Sequence, residues 1–300
     1  MRTAPNLRSL VRAKAGTVVS VCLPARNEEG TIGPIVSAVR RHLVEEVPLV
    51  DEVVVIDDGS TDATAEVALA AGAVVLPVDE ILPDVPTGSG KGNALWLSLY
   101  ACDGDIICWL DADVRNFGPH FVTRLVAPML MDPTIGYVKG YYDRPLDGEV
   151  TGGGRVTELM ARPLLSALFP HLTRFVQPLA GEYAGRRELL EAVPFVEGYG
   201  VEIGLLIDLV AGFGLDALTQ VDLDVREHRN RPLDELGPQA MAVLVTGLRR
   251  AGLPVDRRLA ELIRFDDHRE IERVSVEIRE RPPMITVPAY LAKFGRELSA

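Results

Sequence analysis

Gly104-Asp105-Ile106-Ile107-Cys108-Trp109-Leu110-Asp111-Ala112-Asp113 is the stretch whose reading decides the fold. Ile106 to Leu110 is an uninterrupted apolar run of strand length, as a strand covered on both faces requires. It ends in two carboxylates, Asp111 and Asp113. In an extended backbone that spacing sends both side chains to the same side. Open α/β sheets take their ligands at the carboxyl ends of parallel strands. Two converging carboxylates repel unless a cation stands between them, and a hard divalent ion shared with a diphosphate is the usual solution. The alternative is a polar strand end that caps the next helix, and Asp-x-Asp alone does not choose between them.

Upstream, strands and helices alternate. Val18 to Leu23 reads as a β-branched strand closed by Pro24, followed by a polar loop, Arg26 to Gly30, with Thr31 as N-cap. Ile32, Ile35, Val36, Val39 and Leu43 recur at helical spacing. Glu52 to Ile56 is a second buried strand, ending in Asp57-Asp58-Gly59-Ser60-Thr61-Asp62. A helix to about Ala71 and a strand from Ala73 to Val78 follow. A loop with Pro86, Gly88 and Gly90 leads into a helix from Lys91 to about Ala101. Downstream, Phe117 to Met131 is an amphipathic helix and Ile135 to Tyr142 a strand. The alternation predicts a mostly parallel sheet with helices on both faces through residue ~145.

Beyond that point the pattern changes. Gly152-Gly153-Gly154 precedes a predicted helix from Arg155 to about Phe169. Gly181-Glu182-Tyr183-Ala184 reads as a polar connection before a helix from Arg187 to Ala192. A third helix spans Val201 to about Gly212, and Asp216 to Val225 alternates like a strand. Arg226 to Pro232 is a basic loop, and a helix from Leu233 to Ala251 and a proline-punctuated tail complete the chain.

Bulk properties narrow the function. A 47% apolar fraction and 25% charged residues describe an ordinary globular protein of one large or two small domains. The net charge of −12 argues against nucleic acid as main partner. Cys22, Cys102 and Cys108 lie in apolar runs and read as reduced core residues. No run reaches the ~18 apolar residues of a spanning helix, and Met1 to Lys14 lacks a signal-peptide core, so a cytoplasmic protein without a membrane partner is expected.

Four further features carry chemistry. Gly88-Ser89-Gly90-Lys91-Gly92 is not a P-loop, since Val85 and Gly92 stand where Gly and Ser or Thr belong. Lys91 at a helix start can still meet a phosphate. Gly152 to Thr157 joins a glycine run, a helix N-terminus, Arg155 and Thr157, a set suited to an anion. His228 lies among arginines just past a strand, where an imidazole can reach a metal and suits manganese better than magnesium. Glu202, in a first helical turn, either complements the dipole or holds sugar hydroxyls.

Leu23-Pro24-Ala25-Arg26-Asn27-Glu28-Glu29, Val55 to Asp62, Gly90-Lys91-Gly92 and Asp111-Ala112-Asp113, in this order, resemble the nucleotide-sugar domain of GT-A glycosyltransferases. In the second half, Thr151 to Leu159, Ala161 to Leu165, Gln177 to Ala184, Gly198 to Asp208, His228 to Leu236 and Arg281-Pro282-Pro283-Met284 resemble the actinobacterial glucosyl-3-phosphoglycerate synthases, with the related mannosyl-3-phosphoglycerate synthases. Ala112 stands where the mycobacterial form has Ser, and is expected to point away from the metal side. The loop between Tyr142 and Gly152 is shorter than in that form.

The resemblance implies an α/β GT-A fold, Rossmann-like, with a helical acceptor-binding C-terminal part. Residues 1–145 would form the donor half and 146–300 the acceptor half, packed as one unit. It implies retaining transfer of glucose from UDP-glucose to the 2-hydroxyl of D-3-phosphoglycerate, with Mg2+ or Mn2+. Pro24, Ala25, Asn27, Glu28, Ser60, Lys91, Asp111, Tyr199, Glu202, Arg226 and Arg231 are then expected at the donor, and Gly154, Arg155, Thr157 and Asn230 at the acceptor. Asp113 and His228 would bind the metal. Asp111, Arg231 and Glu202 take the catalytic roles, Glu202 by orienting substrate. A homodimer through helix Val201 to Val210 and the tail is expected. The competing readings are GDP-mannose as donor, or a nucleotide-sugar-binding regulator without catalysis.

Overall fold

The structure, a computed structural model, describes residues 6–144, 154–227, 232–255, 260–266 and 268–295. The chain opens with α1 (Leu7–Lys14), β1 (Val19–Ala25), α2 (Ile32–Val39), β2 (Glu52–Asp57), α3 (Thr64–Ala70) and β3 (Val74–Pro77). Next come α4 (Val78–Ile81), α5 (Gly90–Ala101), β4 (Ile106–Trp109), α6 (His120–Met131) and β5 (Tyr137–Asp143). The middle comprises α7 (Arg162–Leu168), β6 (Tyr183–Arg186), α8 (Arg187–Leu190), β7 (Phe195–Val196), α9 (Val201–Phe213) and β8 (Leu218–Val225). The last part holds α10 (Leu233–Arg250), β9 (Ala260–Phe265), β10 (Ile271–Val276), β11 (Glu280–Arg281) and α11 (Pro288–Phe294).

The described residues form a seven-stranded sheet in the order β3-β2-β1-β4-β6-β5-β8. Every pairing in it is parallel except those of β6, which runs antiparallel to both β4 and β5. Alternation along each strand feeds two cores. Cys22, Ile107, Trp109 and Tyr183 face α5 and α9, while Val21, Leu23, Cys108 and Ala184 face α2 and α6. Ile106 to Trp109 are fully buried, as a strand covered on both faces must be. The buried Trp109 satisfies its indole by donating Nε1–H to Ser98 Oγ at 2.8 Å.

Two expectations, on Gly181 to Ala184 and on the helix from Arg155, are corrected. Gly181 to Ala184 is not a loop: Tyr183–Arg186 is a central strand, and Glu182 just before it is fully buried. The sheet runs on past residue 145, since β6 and β8 pair with β4 and β5. The single helix expected from Arg155 to Phe169 is divided: Thr157–Ala161 wind as a π-helical turn before α7. Such widenings accompany functional positions, and Thr157 lines the cleft described below. α9 buries Val201 to Ile207 and Leu209 within this chain and leaves Phe213 at its end 40% exposed. The β9–β10 pair was also not foreseen. The three cysteines are buried and unpaired. None of the described helices is long and apolar enough to cross a membrane.

Candidate active site

The strand order reverses direction of growth between β1 and β4, the switch point where open α/β sheets leave a crevice. A cleft of about 540 Å3 lies there. Its wall takes Pro24 and Ala25 from the end of β1, Asp58 after β2, Asp111 to Asp113 after β4, Arg144 after β5 and Arg226 after β8. The antiparallel β6 brings its amino end to this same edge, pairing Tyr183 with Trp109 and Lys139. That places Leu179 in the wall and Glu182 beneath it.

The two carboxylates do converge, and the cation between them is a side chain. Arg226 donates from Nη2 to Asp111 Oδ2 at 2.8 Å and to Asp113 Oδ1 at 2.7 Å. Its Nε stands 2.7 Å from Glu182 Oε1, a close ion pair whose angle falls outside a normal hydrogen bond. Arg226 is 3% exposed and Glu182 fully buried. Burial raises the Glu182 carboxyl, and Arg226 opposes this without cancelling it. Lys91 closes the network, 2.5 Å from Asp111 Oδ1 and 2.8 Å from Glu202 Oε1. Burial alone would raise Asp111; Lys91 and Arg226 outweigh it and hold this carboxyl well below the usual range. Burial works against the Lys91 charge too, and Asp111 and Glu202 override it.

Gly181 shows how tightly this centre is packed. A Cβ there would collide with both carboxylate oxygens of Asp111. Gly181→Ala is therefore expected to displace Asp111. The predicted outcome is a cost of about 1–3 kcal/mol in urea unfolding, from overpacking, and a loss of roughly tenfold or more in kcat, since ångström-scale misplacement is costly at a reacting centre.

Lys139 lies behind the site, 1% exposed, donating Nζ–H to Ala180 O at 2.9 Å. Burial is the main cause that brings its ammonium down to about 7, against partial support from Glu202. Between that value and the 10.5 of a free lysine, the unfolded chain binds more protons than the folded one. Stability therefore rises with pH across this window, by at most about 1.4 kcal/mol per pH unit. Lys139→Met is expected to flatten that rise; urea midpoints between about pH 7.5 and 9.5 report it, and an unchanged slope contradicts the assignment.

The cleft collects most of the expected residues. Pro24, Ala25, Glu28, Lys91, Asp111, Asp113, Gly154, Arg155, Thr157, Tyr199, Glu202 and Arg226 all line it. Asn27 and Ser60 do not. Asn27 N–H donates to Ser60 Oγ and Asn27 Oδ1 accepts from Thr61 N–H, so the pair ties the β1 and β2 loops together at the surface. Asp58, just after β2 and 4.0 Å from Arg26, lines the cleft instead. Ala112 touches the cleft but is 4% exposed and packs into the core with Leu110 and Val114. His228, Asn230 and Arg231 lie outside the described residues, as does most of the shortened loop after Tyr142. Sequence reasoning missed Arg144, Leu179 and a stripe on α10, Leu236, Gln239 and Val243. The α10 residues are spaced three and four apart, a helical face that was legible in principle.

Together the sheet, the switch-point cleft and its carboxylates define a GT-A glycosyltransferase. The model of the glycosyl transferase family 2 matches residues 20–188. A glucosyl-3-phosphoglycerate synthase of Petrotoga mobilis is 46% identical over 97% of this chain and 94% of its own length. The crystal structure of the Mycobacterium tuberculosis glucosyl-3-phosphoglycerate synthase with Mn2+, UDP-glucose and phosphoglyceric acid superposes with a TM-score of 0.86. It is 47% identical, over 95% of this chain and 96% of that one. The same mycobacterial enzyme with Mg2+ and UDP gives 0.86 at 47% identity, over 94% of this chain and 96% of that one. The chain belongs to glycosyl transferase family 2, and within it to the glucosyl-3-phosphoglycerate synthases.

Proposed function

We propose that the chain transfers glucose from UDP-glucose to the 2-hydroxyl of D-3-phosphoglycerate, with retention, giving glucosyl-3-phosphoglycerate and UDP. The observation that carries this is the meeting in one cleft of the Asp111–Asp113 pair with Gly154-Arg155-Val156-Thr157. The first set suits a nucleotide diphosphate and its metal, the second a phosphorylated acid. The relatives of that name, one of them holding UDP-glucose and phosphoglyceric acid, support the same reading.

The residues fit a divalent cation. Asp111 Oδ2 and Asp113 Oδ1 already converge on one cationic nitrogen and offer the oxygen donors that magnesium and manganese take. Asp113 would hold the ion, with His228 as its second protein ligand. When bound, the ion supplies charge stabilisation for the departing diphosphate. The chain's own residues do the rest. Arg231 would add positive charge at the diphosphate. Arg155, Thr157 and Asn230 would hold the acceptor's phosphate and carboxylate, aided at Gly154 by a φ of +78° that turns the backbone into the cleft wall. Glu202 is 6% exposed and ion-paired to Lys91, which suits a carboxylate that orients the sugar better than a nucleophile. Retention is then assigned to attack from the leaving-group face, with the diphosphate taking the proton. Trapping a glucosyl adduct on Glu202 would overturn that role.

The deciding assay incubates the purified protein with 3-phosphoglycerate and either UDP-glucose or GDP-mannose, each with Mg2+ and Mn2+. The expected product is α-glucosyl-3-phosphoglycerate from UDP-glucose. Preference for GDP-mannose assigns the mannosyl reaction, and UDP binding without turnover assigns a regulator.

The same proposal places the donor site on residues 1–145, the acceptor site on 146–300 and the enzyme in the cytoplasm. It also includes a homodimer, whose contact we place on the β9–β10 pair. Ile263, Phe265 and Ile271 are 56%, 70% and 64% exposed there, on a two-stranded element that is marginal alone. Light scattering should give twice the 32.6 kDa chain mass.

A further inference from the structure

Arg281-Pro282-Pro283-Met284 carried part of the family resemblance without a role, and it is remote in sequence from every cleft residue. The structure brings it close. β11 pairs antiparallel with β7, Arg281 opposite Phe195, and Glu197 N–H donates to Arg279 O at 2.9 Å. Trp96 Nε1–H donates to Pro282 O at 2.7 Å. This seats the Arg281 guanidinium between the two segments that supply Lys91 and Glu202.

On one side Arg281 donates from Nη1 to Pro86 O at 2.7 Å and from Nε to Asn93 Oδ1 at 2.8 Å. These residues bracket the Gly88-Ser89-Gly90-Lys91 loop. On the other side Nε stands 3.0 Å from Glu197 Oε1. Glu197 immediately precedes the Gly198-Tyr199-Gly200 turn that starts α9, and its Oε2 accepts from Ser89 N–H at 3.3 Å. Arg281 is 7% exposed, Glu197 8% and Asn93 2%, and the guanidinium lies 5.1 Å from the Trp96 ring centroid. The glycines of the loop answer to this seat. A Cβ on Gly88 would collide with Arg281 Nη2 and Asn93 Oδ1, and one on Gly92 with the Val196 carbonyl. Only Gly90, at a φ of +73°, is required by its own backbone.

We propose that Arg281 is a positioning residue for the donor side of the cleft. Its planar fork locks the 86–91 loop to the 197–200 turn, and so sets the Lys91–Glu202 pair and Tyr199 in register across the cleft. A lysine in its place would keep the charge but lose the fork that reaches both segments at once. This rests on the reading of the cleft as a nucleotide-sugar site.

The test uses the full chain with Arg281→Met, Arg281→Lys and Glu197→Gln. In Arg281→Met, kcat/KM for UDP-glucose is expected to fall by roughly tenfold to a hundredfold, the range of a lost positioning contact, while the KM for 3-phosphoglycerate stays within about twofold. Arg281→Lys should recover part of the loss. Amide exchange should quicken selectively at Ser89 to Lys91 and Gly198 to Gly200, with β1 and β2 unchanged. If Arg281→Met does not fold, Arg281→Lys and Glu197→Gln give the same readouts. Donor kinetics within twofold of the parent, or exchange that quickens equally throughout the sheet, overturns the assignment. If the parent itself does not use UDP-glucose, the proposed function falls, while selective exchange at the two segments still upholds the positioning role.

Discussion

Arg226→Met is expected to destabilise the protein by about 3–5 kcal/mol, the cost of breaking a buried ion pair by removing one partner. The Arg226 side chain is the counter-ion of three carboxylates at once: Asp111, Asp113 and the fully buried Glu182. Asp111 keeps Lys91, and Asp113 is 30% exposed and can be solvated. Glu182 is left as the orphan, and an unpaired buried carboxylate bears the full desolvation cost. The double variant Glu182→Gln with Arg226→Met should regain a large part of that stability in urea unfolding, because the charge that lacked a partner is gone. Activity should not return with it, since Asp111 and Asp113 would still lack the group that holds them together. A single-variant loss below about 1 kcal/mol would show that the Arg226–Glu182 pair contributes no more than a surface pair does.

Asp113→Ala separates the other way. Turnover is expected to fall by about a thousandfold or more, because the ion it would hold contributes several kcal/mol at the diphosphate and each 1.4 kcal/mol is about tenfold in rate. Stability should change little: Asp113 is partly exposed, and Arg226 retains Glu182 and Asp111. Manganese binding followed by electron paramagnetic resonance gives a readout independent of turnover, and the variant should leave the added ion free in solution. A variant that binds Mn2+ like the parent and stays active sinks the metal assignment.

These two variants also show what the sequence could and could not carry. The apolar run Ile106 to Leu110, closed by Asp111 and Asp113, fixed a buried strand and a ligand edge, because burial on both faces and a polar strand end are local properties of the chain. The Gly152 to Thr157 segment was legible as a candidate for a site on the same local grounds, and Gly154, Arg155 and Thr157 do line the cleft. By contrast, Gly181-Glu182-Tyr183 read as a polar loop, since a glutamate beside a glycine has no reason to be buried until its partner is known. That partner, Arg226, stands 44 residues further along the chain.

By itself, then, the sequence determined the alternating α/β frame, the sheet edge at which the cleft opens and many of the side chains that line it. Only the tertiary structure decided that β6 runs antiparallel through the middle of the sheet, that a guanidinium sits between the two aspartates, and that Arg281 from the C-terminal segment bonds Pro86, Asn93 and Glu197. The physical reason is the range of the forces. Apolar periodicity and backbone preferences act over a few residues, whereas the pairing of a buried charge is set by whichever opposite charge the fold brings within about 3 Å, however distant in sequence.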